Sequence, residues 1–155
     1  MKQMFVCAIL CLAIPSTAIA SEAGYRVLYD GGSVPVKAGA VAFLYIGTDT
    51  IRLAQKSEVL ATIPAASVTE ISYGQDVHRR VGTAIGLAVF SLGIGALMLL
   101  SKSKKHFVGI TWQDGAKKGG FVMQCDKSDY RGVLMGLEGI TGKKAVDSEA
   151  MNVKN

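Results

Sequence analysis

Cysteine is scarce in this chain, and its few copies are poorly placed to stabilise a fold. Of Cys7, Cys11 and Cys125, the first two fall in a stretch with the marks of a secretory leader. Lys2 is followed by the apolar run "MFVCAILCLAIP", and Ala18-Ile19-Ala20 makes a small-x-small cleavage signal before Ser21. Residues 1–20 are therefore expected to be a signal peptide removed on export, which leaves Cys125 alone in an oxidising compartment. One thiol excludes an internal disulfide and a cysteine metal site. It ends the alternating run "FVMQC" and is expected as a buried strand thiol. Histidine is almost as rare: His78 and His106, even with Asp76, offer too few ligands for a zinc centre.

Catalytic signatures are missing as well. "GIGALM" lacks the third glycine and the strand-turn-helix setting of a dinucleotide fingerprint. No serine occupies a nucleophile elbow, and no carboxylate pair recurs on one helix face. No enzyme and no cofactor are expected. The formal net charge of +5 does not point to nucleic acid, because no aromatic residues interleave with a basic stripe.

What the sequence does contain is one long uncharged run, "VGTAIGLAVFSLGIGALMLLS", residues 81–101. Arg79 and Arg80 precede it, and Lys102, Lys104 and Lys105 follow. These five are the candidate site residues, read as membrane-interface anchors attracted to anionic headgroups. As a single helix the run would measure about 31 Å, enough to cross the hydrocarbon core. It is expected to be a membrane segment.

On either side the sequence reads as β. "YRVLY" is a short strand, and "AVAFLYIG" is apolar without alternation, as a strand buried on both faces would be. "TIRLAQ" and "EVLATIP" alternate, and Pro64 closes the latter. "ASVTEISYG" gives a turn and a strand carrying Val68, Ile71 and Tyr73. Beyond the run, "HFVGITWQ" and "GGFVMQC" are strands, with Asp114-Gly115 opening a connection that Lys117 to Gly120 lengthens. Last comes a helix within "DKSDYRGVLMGLEGITG", capped by Asp126, with Tyr130, Val133, Leu134, Leu137 and Ile140 on one face and Gly142 at its end. Gly132 and Gly136 allow close approach to a sheet or a partner helix. Residues from Ala145 onward are polar and unpatterned, an expected frayed tail.

Two pieces of about 55–60 residues each, without disulfides or metal, bury too little surface to fold alone, whereas their sum is an ordinary domain. One domain therefore joins residues 21–80 and 102–145, followed by a polar tail at 146–155. The 81–101 run becomes an insert, preferably re-entrant or a hairpin bent at Ser91-Leu92-Gly93; a single helix is the alternative.

"IPAASVTEISYG", the strand pair from His106 and the closing "DYRGVLMGLEGITGKK" resemble bacterial pleckstrin-homology-like (GRAM-like) modules. The layout is also similar to small exported bacterial envelope proteins with an apolar insert before a basic "SKSKKHF" stretch. The resemblance implies an α+β fold, a bent antiparallel sheet or partial barrel plugged by a C-terminal amphipathic helix. It carries over no phosphoinositide-binding residues, since no matching basic loop motif is present. The functional expectation is a non-enzymatic, membrane-anchored interaction or scaffold protein of the bacterial cell envelope. Its expected partners are membrane lipid and another protein, including a second copy of itself. The alternatives are a self-associating glycine-zipper-like protein, suggested by Gly82 and Gly86, and a single-span protein with its C-terminal half in the cytoplasm.

Overall fold

Alternation of apolar and polar side chains builds most of the architecture. The structure, a computed structural model, describes residues 22–86 and 105–150 of the chain. In chain order the strands are β1 (Ala23–Gly32), β2 (Val41–Ile46), β3 (Thr50–Gln55), β4 (Glu58–Pro64) and β5 (Val68–Tyr73). Helix α1 (Val77–Ile85) follows, then β6 (His106–Asp114), β7 (Lys117–Cys125), helix α2 (Tyr130–Thr141) and β8 (Val146–Asp147). The eight strands form one sheet in the order β4-β3-β2-β1-β7-β6-β5-β8.

Both sides of the apolar run belong to this sheet. β1 pairs antiparallel with β2 from Ala23 to Leu28 and with β7 from Val27 to Gly32, the second ladder shifting register between Tyr29 and Gly31. β5 pairs antiparallel with β6, from Val68 opposite Trp112 to Tyr73 opposite Val108. A ladder cannot form across a hydrocarbon core about 30 Å thick, so the single-span alternative is incompatible with this pairing.

The main core gathers Val27, Leu44, Ile51, Leu53, Ile71, Ile110 and Phe121, among others, from both halves of the sheet. Each such side chain contributes about 1.5–3 kcal/mol by leaving water. Val133 and Leu137 of α2, both fully buried, join this core. The glycine stripe of α2 meets the sheet rather than another helix. A Cβ on Gly132 would lie 3.1 Å from the Tyr25 hydroxyl, and one on Gly136 3.0 Å from Ile46 Cδ1. Gly142 ends the helix in the left-handed conformation at φ 68°.

The expected transmembrane segment is corrected. The first residues of the 81–101 run are not a separate element; they complete α1, which begins before the two arginines at Val77. The helix stops at Ile85, where Gly86 takes φ 73°. Val77, Val81 and Ile85, four residues apart, pack with Phe107 and Val122 as a second small core. Gly109 and Gly120 make this approach possible. A Cβ on Gly109 would lie 2.5 Å from Val77 Cγ1, and one on Gly120 3.0 Å from Val81 Cγ1. Among the described residues no helix is long and apolar enough to cross a membrane. The rest of the run, from residue 87 to 101, and the expected signal peptide at 1–20 lie outside the described residues.

Smaller corrections have local causes. The sheet is mixed rather than antiparallel, because β8 runs parallel to β5. β2 is buried on one face only: Ala42 and Leu44 face the core, while Val41 and Phe43 are exposed. The β6–β7 connection is a two-residue turn, Gly115-Ala116, since Asp114 pairs with Lys117. Gly115 at φ 59° suits the first position of a type II′ hairpin turn. The α2 cap position is Asp129, with no side-chain cap bond. Asp126 acts instead through its carbonyl, which accepts from the amides of Asp129 and Tyr130 at 3.0 and 2.9 Å.

Two glycine substitutions separate these roles. Gly139 has open space where a Cβ would go, so Gly139→Ala is expected to stabilise the domain by about 1 kcal/mol. Gly109→Ala forces a methyl into Val77 and is expected to cost about 1–3 kcal/mol. Urea unfolding of both variants checks the pair; stabilisation by Gly109→Ala would contradict the packing of α1.

Candidate functional site

β5 is the last long strand of its half of the sheet, and the face of its edge is shared with α2. β6 covers one side of β5 along its whole length. On the other side only Ser72 and Tyr73 are paired, with Val146 and Asp147 of β8. The groove between the β5 edge and α2 therefore already holds residues 145–149 of the same chain, which pair as a strand at Val146–Asp147 and bend at Ser148 and Glu149.

Hydrogen bonds tie that segment to α2 and to the end of β5, and Ala145 packs against the main core. The Ala145 amide donates to Glu138 Oε1 of α2 at 2.7 Å, and Lys144 lies 3.8 Å from the same carboxylate. The Ser148 amide donates to the Tyr73 carbonyl at 2.8 Å. Past the end of β5, the Gln75 amide donates to Glu149 Oε1 at 3.2 Å, while the Glu149 amide donates to Asp147 Oδ1 at 2.9 Å. Gly74, at φ 112°, takes a conformation that other residues rarely adopt. A Cβ there would lie 2.5 Å from Ser148 Oγ, so backbone and tail touch directly. That hydroxyl is buried and finds no hydrogen-bond partner among the described residues.

Aromatic rings close the groove. Tyr130, the first residue of α2, meets Tyr73 edge-on at 6.3 Å and His106 at 4.7 Å between centroids. Its phenol is pushed up to about 12, by burial first and then by its neighbours Tyr73, Asp147, Cys125 and Glu149. Cys125, buried and free, is also held at about 12, by burial first and then by Asp129 and Asp126. A thiol so protonated is no nucleophile at neutral pH.

The five sequence candidates do not converge here. Arg80 forks onto Glu70 of β5, with Nη2 2.7 Å from Oε2, which fixes α1 to the strand it follows. Arg79 is exposed, and Lys105 is half-buried with its carbonyl accepting from Gln75 Nε2 at 2.7 Å. Lys102 and Lys104 lie outside the described residues. The two histidines are driven apart, because His106 and Phe107 are neighbours on a strand and point to opposite faces. His106 packs on Tyr130, whereas His78 packs on Phe107 at 4.9 Å and bonds Asp30 Oδ2 at 2.7 Å. Sequence reasoning missed the tail altogether. Its only signal is the short apolar–acidic alternation Val146-Asp147, too brief to mark a strand.

With this geometry in place, likeness to known proteins adds the fold. No family model matches the chain, and no curated protein is similar to it. Among solved structures it is similar to the C-terminal phosphotyrosine interaction domain of APBB2 from mouse, determined in solution. The TM-score is 0.53 at 12% identity, over 84% of this chain and 93% of that one. The chain thus has the pleckstrin-homology-like fold of a phosphotyrosine-binding domain. At this identity the likeness concerns the fold alone, and it does not extend to the envelope-protein part of the resemblance.

The buried acids make stability depend on alkaline pH. Tyr29, buried while donating to the Val34 carbonyl, is pushed up to about 12 as well. In the unfolded chain the thiol and the phenols ionise near 9 and 10. Protons held by the folded state alone stabilise it below that range and lose their effect as pH rises toward 12. The melting temperature is expected to be flat from about pH 6 to 8.5 and to fall steadily above about 9. A melting temperature unchanged to pH 11 would contradict the burial assigned to these three groups.

Proposed function

We propose that this domain is a non-enzymatic interaction module that binds an extended segment of another protein by adding it as a strand to the β5 edge, beside α2. The observation that carries this reading is that the edge accepts such a segment within the chain itself, through the Tyr73 carbonyl and the Gln75 amide. Strand addition of this kind draws affinity from main-chain bonds and selectivity from the side chains of alternate residues. The edge is well suited to it. β5 is fixed from behind by β6 and braced by the Arg80–Glu70 pair. On the groove side, the residues before Ser72 carry no strand partner among the described residues.

The solved structure with the same fold is named an interaction domain, which supports the class of function without naming a partner. Among the described residues, no group of three or more His, Cys, Asp or Glu side chains could hold a metal ion. The Cys125 thiol is buried and protonated.

A library of extended peptides displayed against the full-length chain tests the reading. Selected peptides are expected to perturb the backbone amide signals of Val68 to Gln75 and of α2. Those of β3 and β4, at the other end of the strand order, should stay unchanged. Binding that maps to the outer face around Phe43 and Tyr45 would overturn it.

A further inference from the structure

The way the tail lies indicates which segments the groove takes. We infer that it selects an extended segment running parallel to β5, with a small side chain against Gly74 followed at once by an acidic residue. Residues 145–149 of the chain compete for the same place. This rests on the strand-addition reading above and specifies its partner class.

Direction comes from the register. Ser72 faces Val146 and Tyr73 faces Asp147 in a parallel pairing. A parallel segment continues past the end of β5, so its next residues reach Gly74 and Gln75. There the Ser148 amide meets the Tyr73 carbonyl, and the Glu149 carboxylate accepts from the Gln75 amide. An antiparallel segment would bring the residues before its paired stretch, not those after it, to Gly74 and Gln75, and so would reverse the order of the small and acidic positions.

Size comes from Gly74. Ser148 is only 6% exposed, and its Oγ occupies the space that a Cβ on Gly74 would need. A residue larger than serine has no room there. Acidity comes from the bond to a backbone N–H, where a carboxylate accepts more strongly than an amide side chain.

The resident tail is an imperfect occupant. It forms only two ladder pairs, and the Ser148 hydroxyl is desolvated without a partner among the described residues. Alanine at that position would fit the same space without that penalty. The tail is therefore displaceable by a longer segment that also pairs along Val68 to Ile71, and its own affinity sets the threshold for binding.

The test measures binding of a fluorescein-labelled peptide, residues 143–150 of this sequence, to full-length chains. In Ala145→Pro the tail loses the amide that Glu138 holds, and the peptide is expected to bind at least tenfold more tightly than to wild type. Ser148→Ala in the chain seats the tail better and should weaken peptide binding. Within the peptide, Ser148→Leu should abolish binding to the Ala145→Pro chain, and Glu149→Gln should weaken it severalfold. Unchanged amide spectra for β1 to β7 show that each variant is folded. Equal peptide affinity for folded wild type and Ala145→Pro would overturn the competition, and undiminished binding of the Ser148→Leu peptide would overturn the selectivity. The two readings fail differently. If library peptides bind the β5 edge without a small–acidic pair, this inference falls and the interaction module stands. If no library peptide binds the β5 edge, the interaction module falls and this inference falls with it.

Discussion

The ladder between β5 and β6 is the constraint on which everything else depends. It joins the last strand before the apolar run to the first strand after it, residue by residue from Val68–Trp112 to Tyr73–Val108. Without it β5 would have no backing, the main core would lose Val68 and Ile71 from one wall, and the β5 edge would not exist as a site. The ladder also holds both flanks of residues 81–101 in one compartment, because their backbones share hydrogen bonds.

That constraint explains how the start of the apolar run misleads. Its composition states a membrane segment, and by length the inference is sound. Yet Val81 and Ile85 belong to a stripe that starts at Val77, and their counterpart is a trough made by Gly109 and Gly120, far along the chain. Hydropathy counts apolar residues; it does not see which of them a distant strand will cover. Gly120 was read as part of a lengthened connection and Gly109 carried no reading, when the meaning of both was close approach by a helix. The strands themselves were legible because alternation is local, and α2 was legible because its 3.6-residue period is strong. β2 was misread since exposed Val41 and Phe43 look the same in sequence as buried ones.

The candidate site was nearly illegible for a related reason. Charge clusters drew attention to Arg79, Arg80 and the lysines after the run, but Arg80 is consumed by Glu70. The groove is made mostly of backbone: the Tyr73 carbonyl, the Gln75 amide and the absent side chain of Gly74. Backbone groups are the same at every position in a sequence, so only the fold distinguishes a paired edge from an open one. Tyr130 and Glu138 were placed correctly on α2, yet nothing local ties them to residues 145–149. Strand-addition sites are hidden in this way in general.

Native-state hydrogen exchange of single amides tests the central claim most directly, that the β5 edge holds a loosely seated strand on a firmly built sheet. The Ser148 amide, bonded to the Tyr73 carbonyl, should exchange through local opening of the tail. The account predicts exchange at least about a hundredfold faster than for Ile110 in the middle of β6, whose opening requires the sheet to come apart. Equal protection of Ser148 and Ile110 would contradict it, because the tail would then be an integral strand and the groove no site at all.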